Sequence, residues 1–423
     1  MDLNRLKIVC LAAIACLLFA SVGGTVLAAR LEVSPKAAFV RGGNLWMKEE
    51  GGEKKLVDGP YIRQPKWSYD GAWIAYSKGE TEQELWVLHV PTGRGGLVSA
   101  EGGRNFQWSP SDNKLAYQTE QQLLQYVDAR QPDQPIETAR GIGNYAWLPD
   151  GKGFFASSRS ELLPDGWTPI SLYQIPLQAL ADPSKYVTVH VLPKPSDDFF
   201  AVGTSTFKWS ATGRWIAFLA TPTASLSADS NTLCVVAADG VIFRTLDQMV
   251  NNEQWFEWSP NDDRLAFVKG VGRDAGVNKQ LKVLNVTSGK SAVYTPEGFV
   301  DSDFAWQGPE QIVVSRAKES KREDVPGERE NPQLVAIELA SGKQTVITKP
   351  SAGFGDYNPV PLPKKLFWVR NGHAVANVLV SRPDGSRAKE WIKSIDQADS
   401  YYGQWYWDKV LRFFCGERGM PDR

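Results

Sequence analysis

The chain has 423 residues, of which 42% are hydrophobic and 22% charged, and its formal net charge is −1. A single hydrophobic core rarely grows beyond about 250–300 residues, so this length implies either several domains or a repeat fold whose units pack only on their neighbours. The balanced charge excludes the basic field that would draw the chain to nucleic acid.

The first thirty residues read as an export signal. Arg5 and Lys7 precede an uncharged apolar run from Ile8 to Ala29, and Val26 and Ala28 satisfy the small-residue rule for cleavage before Ala29. The run is also about as long as the ~20 residues that cross a bilayer, so a retained N-terminal anchor stays open beside cleavage. Cys16 lies inside the run, followed by Leu17, Leu18 and Phe19, which argues against lipid attachment there. No later stretch is long and apolar enough to span a membrane. The expected division is therefore residues 1–29 as signal or anchor and residues 30–423 as an exported, soluble body whose only membrane link is that segment.

From residue 66 onward one pattern recurs: an aromatic, a variable residue, Trp, a Ser-rich turn, then an apolar strand ending in an aromatic. It reads KWSYDGAWIAY from Lys66, FQWSPSDNKLAY from Phe106, YAWLPDGKGFFA from Tyr145, FKWSATGRWIAF from Phe207 and FEWSPNDDRLAF from Phe256. FAWQGPEQIVV from Phe304 is a degenerate copy, and YNPVPLPKKLFWV from Tyr357 lacks the tryptophan. The motif tryptophans Trp67, Trp108, Trp147, Trp209, Trp258 and Trp306 are spaced by 41, 39, 62, 49 and 48 residues. A period near 40–50 residues with four strands per unit is the mark of propeller blades.

Each motif hairpin is followed by an apolar third strand: LWVLHV from Leu85, LCVVAA from Leu233, LKVLNV from Leu281, LVAIEL from Leu334 and NVLVSR from Asn377. Gly-containing turns then lead to a short fourth strand, as at Thr92-Gly93, Asp239-Gly240, Ser288-Gly289, Ser341-Gly342 and Asp384-Gly385. The β-branched and aromatic richness of these runs favours strand over helix. The ends complement each other. The stretch from Ala37 matches the second, third and fourth strands of a unit, and YYGQWYWDKVLRFF from Tyr401 resembles a motif hairpin with nothing after it. Together they complete a blade and remove open sheet edges. The expectation is an all-β, single propeller of eight four-stranded blades closed by both termini, with seven as the runner-up count.

These motifs resemble the TolB-like propeller family, whose repeat centres on Trp-Ser-Pro-Asp-Gly and a short apolar strand. The resemblance covers nearly the whole chain after the signal, although only Trp147-Leu148-Pro149-Asp150-Gly151 keeps an intact Pro-Asp-Gly turn. It implies an envelope or extracytoplasmic binding protein. Related propellers also accompany serine peptidase domains, and no catalytic domain is expected in this chain.

A tryptophan repeated once per blade serves the repeat, so the six motif tryptophans are read as blade packing. The non-repeating Trp73, Trp167, Trp215, Trp255 and Trp391, with Trp405 and Trp407, are the better candidates for ligand or partner contact. The turn acids Asp70, Asp112, Asp150 and Asp262 fit turn capping. Asp197-Asp198 and Asp301-Ser302-Asp303 could offer calcium oxygens, but neither has a calcium-loop spacing. His89, His190 and His373 share no metal-ligand spacing, and no Gly-x-Ser-x-Gly elbow occurs. No catalytic residue, metal ligand or cofactor is therefore assigned. Cys234 and Cys415 fall on opposite sides of an eight-blade ring, beyond the ~7 Å a disulfide needs. Long segments around Glu161–Pro169 and Leu192–Phe200, and the mixed-charge loop from Ala317, are the most individual parts of the chain. The leading expectation is a non-catalytic scaffold engaging a protein or cell-envelope component. The alternative is a glycan-binding or glycan-active propeller that uses its central channel.

Overall fold

In the computed structural model, residues 34–320 and 330–414 are described. The apolar N-terminal run and Cys415 lie outside them. The described residues form eight blades, each a meander of four antiparallel strands. Blade 1 joins Lys36–Arg41, Asn44–Glu49 and Gly52–Val57 to the C-terminal strand Leu411–Phe414, which pairs with Lys36–Arg41. Blades 2 and 3 begin with Arg63–Trp67 and Arg104–Trp108, and blade 4 with Ile142–Trp147. The first strand of blade 5 is split into Gly203–Thr204 and Lys208–Trp209, both paired to Trp215–Thr221. Blades 6, 7 and 8 begin with Phe256–Trp258, Phe299–Trp306 and Gly355–Leu362.

The second strand of each blade is its core. Ile74, Leu115, Phe154, Ile216, Leu265, Ile312 and Leu366 sit directly opposite the motif position and are fully buried. The fourth strands, such as Gly52–Val57 and Ser291–Val293, are largely solvated. This inside-to-outside gradient follows from each blade burying its middle strands between two neighbours.

The motif turn explains its own sequence. In blade 2, Ser68 Oγ donates to Asp70 Oδ1 (2.7 Å) and accepts from the Trp73 N–H (3.0 Å), while Asp70 Oδ1 accepts from the Ala72 N–H (2.9 Å). Gly71 sits at φ +65°, and a Cβ there would meet the Phe414 ring at 2.6 Å, so glycine is required twice over. Asp150 and Asp262 cap the N–H two residues on in the same way, at 3.0 Å each.

The motif tryptophans stitch the ring. The indole N–H of Trp108 donates to Lys66 O (2.9 Å), Trp147 to Gln107 O (3.0 Å), Trp258 to Lys208 O (2.8 Å) and Trp306 to Glu257 O (3.2 Å). In each case the acceptor immediately precedes the motif position of the preceding blade. Trp67 closes the circle by donating to Arg412 O (3.1 Å) on the C-terminal strand. Trp209 departs from this rule: its buried indole nitrogen has no partner, and the ring meets Phe155 edge-on at 5.8 Å instead.

One sequence expectation is corrected. Tyr401 to Phe414 is not a motif hairpin: only Leu411–Phe414 enters blade 1, and Ser400–Tyr401 pairs with Gln404–Trp405 in a separate two-stranded hairpin. The motif position of blade 1 belongs to Phe413, which pairs with Ala37 and stacks on Trp391 at 5.5 Å.

Candidate binding face

Strand alternation divides the connections between two faces. Turns after first and third strands lie on one face, the motif-turn face. Connections after second and fourth strands lie on the other. Apart from residues 129–136 of blade 3, 177–186 of blade 4 and 382–388 of blade 8, the motif-turn face carries short turns. The opposite face, the insertion face, carries the extended segments 159–170, 192–202, 222–230, 270–279 and 396–410.

Near blade 4, a small hairpin pairs Leu162–Leu163 with Gly166–Trp167. Its base is tied by Ser160 Oγ to Thr168 O (2.6 Å) and by the Glu161 N–H to Thr168 Oγ1 (2.9 Å). Its tip leaves Leu162 65% exposed, with Leu163 also exposed. The sequence marked this segment as an insertion and Trp167 as a contact candidate.

The second feature is a strap, residues 397–409, between the last strand of blade 8 and the C-terminal strand. Its feet converge on one residue: the Asp396 N–H donates to Val40 O (2.9 Å), and the Val40 N–H donates to Val410 O (2.8 Å). The Asp396 carboxylate also accepts from the Gly42 and Gly43 amides at 2.6 and 2.9 Å. From there the strap reaches blade 6. The Ala275 N–H donates to Tyr402 O (3.0 Å), Gln404 donates to Arg273 O (2.8 Å), and Gln254 Nε2 donates to Asp408. On the other side Lys409 donates to Glu82 of blade 2 (3.0 Å) and pairs with Asp399 (3.2 Å). Blades 2 and 6 are four apart in a ring of eight, so the strap's contacts straddle the mouth of the central channel.

On the strap's underside, Trp407 is fully buried, stacks on Trp405 (5.5 Å between ring centres) and lies 6.2 Å from Tyr357 of blade 8. Its indole nitrogen has no hydrogen-bond partner. Asp303, on the first strand of blade 7, accepts from Trp255 Nε1 (3.2 Å) and from the Asn358 N–H (3.0 Å). Burial, together with the charge of Asp408, pushes its carboxyl up to about 6, against the pull of those two hydrogen bonds. Asp301, two residues earlier, is a different case, fully buried and paired through both oxygens with Arg316 at 2.6 and 2.7 Å. The Asp301-Ser302-Asp303 cluster thus has internal partners, and Asp197 and Asp198 are exposed. No group of three or more metal-ligating side chains occurs among the described residues.

Of the seven tryptophans singled out in the sequence, only Trp405 and Trp407 stack on each other; the other five are not brought together. Trp73 packs on His89 (4.6 Å) at the motif-turn end of blade 2, and Trp215 is buried beneath Arg244. Trp391 lies in the outer strand of blade 8 against Phe413. Trp255 is fully buried against Asp303, and Trp167 stands on the projecting hairpin. The histidines are separate as well: His190 meets Gly240 O and the Phe243 ring, and His373 is exposed. Cys234 is a buried free thiol, its pKa pushed well up by burial. Sequence reading missed Tyr401, Tyr402, Arg273 and Lys409, which hold the strap in place. The Tyr-Tyr-Gly triplet was a usable turn signal for its tip, where Tyr402 and Gly403 both take positive φ.

No family model and no curated protein matches the chain. Solved structures do resemble it. A puromycin-hydrolyzing peptidase from Mycobacterium tuberculosis superposes with a TM-score of 0.52 at 14% identity, over 83% of this chain and 58% of that one. A eukaryotic initiation factor gives 0.53 at 14% identity, covering 86% of each chain. A TolB protein from Agrobacterium tumefaciens is a weaker match, with a TM-score of 0.35 at 14% identity over 66% of this chain and 93% of that one. The chain spans little more than half the length of the peptidases it matches. At these identities the likeness is one of fold: the chain is a β-propeller with TolB proteins and prolyl peptidases among its structural neighbours.

Proposed function

We propose that this protein is an extracytoplasmic, non-catalytic binding scaffold whose insertion face engages a protein or cell-envelope component. The observation that carries this reading is the one-sided growth of the ring. Most turns on the motif face are short, whereas the longest segments, the apolar Leu162–Trp167 hairpin and the strap project from the opposite face. Rigid scaffolds recruit partners through the loops they hold in place. The residue types at the hairpin and strap tip, Leu, Trp, Tyr and Arg, include those enriched at interface anchors.

The test is site-specific photocrosslinking of the full chain in its native envelope. A photoreactive residue at Leu162 or Tyr402 should capture a stoichiometric partner, and one at Ser341 on the motif-turn face should not. Equal capture from both faces, or none from either, would sink the reading.

A further inference from the structure

We propose that residues 397–409 form a hinged gate over the insertion-face mouth of the channel, which swings open about its feet at Val40 while the blades stay fixed. The geometry is that of a compact surface loop whose ends meet. Asp396 and Val410 are pinned to the two backbone groups of Val40, so the intervening residues can leave the mouth without breaking a strand of blade 1. The polar contacts that hold the far side are made by side chains or a single loop amide: Gln404 with Arg273 O and Asn252, Arg273 to the Tyr401 hydroxyl, Gln254 to Asp408 and the Ala275 N–H to Tyr402 O, while Lys409 holds Glu82 near the foot and the buried Trp407 ring seals the underside. Among the described residues, no ladder pairing joins the strap hairpin to a blade.

The closed state also carries two unfavourable polar groups at the strap's underside. Trp407 buries an indole N–H with no acceptor, and such orphans in native structures mark places where strain is stored or water enters. Asp303 is buried with neutral partners, Trp255 Nε1 and the Asn358 N–H, and faces the Asp408 carboxylate of the strap. The paired charges adjoining these residues in the chain are Asp301 with Arg316, two residues before Asp303, and Lys409, next to Asp408, with Glu82 and Asp399. Opening admits water to both groups. A carboxyl held near 6 when sealed and near its ordinary 3.8 when wet favours closure as pH falls and opening as pH rises through 6.

Amide hydrogen exchange on the full chain, normalised for intrinsic chemistry, tests this at pH 5 and pH 7.5. The gate predicts that residues 397–409 open more often at pH 7.5, by about tenfold, because between these values the sealed carboxyl gives up most of its proton and the wet one has little left to lose. The Asn358 amide should open with them. Every other amide in the first strands of blades 6–8 should stay protected at both values. Asp408→Asn removes the facing charge and keeps an acceptor for Gln254, so it should slow opening severalfold at pH 7.5. Lys409→Met should speed it. Opening that is independent of pH, or a strap that exchanges only together with the first strands, would overturn the gate.

Discussion

The two faces of this ring are built from the same strands and put to different ends. On the motif-turn face, connections tie neighbouring blades: Asn113 donates to Asp70 across blades 2 and 3 (2.9 Å), Arg214 and Thr212 reach Asp263 across blades 5 and 6, and Arg264 reaches Glu310 across blades 6 and 7 (2.7 Å). On the insertion face, connections leave the ring and pack on one another. The lesson is that a repeat keeps its closing chemistry on one rim and varies the other, so substitutions on the two rims should register in different measurements.

The largest stability loss should come from the buried pairs that support the insertion end of blades 7 and 8, where Asp301 faces Arg316 and Asp356 faces Arg370 in equivalent registers. Arg316→Met leaves the fully buried Asp301 with Thr295 as its remaining side-chain partner. Breaking one side of a buried pair costs about 3–5 kcal/mol, and chemical denaturation should show a loss of that size. A loss below about 1 kcal/mol, the scale of an exposed pair, would mean that water reaches Asp301.

A smaller loss is expected on the motif-turn rim. Gly71→Ala forces a left-handed residue and displaces the Phe414 ring, which together should cost about 2 kcal/mol. The tryptophan ladder then offers an internal control. Trp258→Phe removes a bonded indole and Trp209→Phe an unbonded one. Both lose ring volume, so the two should differ by about 1 kcal/mol, the net worth of the hydrogen bond, with Trp258→Phe the more damaging. Equal losses would show that ring packing alone holds the junctions.

Most of the ring was legible because its chemistry repeats. Ser68, Asp70 and Gly71 specify a turn through contacts within six residues, so the pattern survives in the sequence and counts the blades. Blade 8 was legible despite losing its tryptophan because Leu366 and Phe367 keep the apolar second strand. The strap was not. Its aromatics match the motif in composition, and what separates them is a set of partners far away in sequence, Glu82, Gln254 and Arg273. The break at Trp209 was hidden for the same reason: nothing in FKWSATGRWIAF tells that its indole lacks the carbonyl its counterparts reach.

The smallest effect on stability should fall where the effect on binding is largest. Leu162 and Leu163 are exposed at the tip of a hairpin that buries neither, so the pair Leu162→Ser and Leu163→Ser should change stability by less than about 0.5 kcal/mol. The base of the hairpin is held by Ser160, Glu161 and Thr168, which the substitutions leave in place. If the insertion face binds its partner through this tip, capture by a photoreactive group at Tyr402 should fall at unchanged protein level and unchanged melting temperature. Unchanged capture would move the contact to the strap. A drop in melting temperature would show instead that the hairpin belongs to the packing of blade 4, and that the division of labour between the two rims is less complete than the connections suggest.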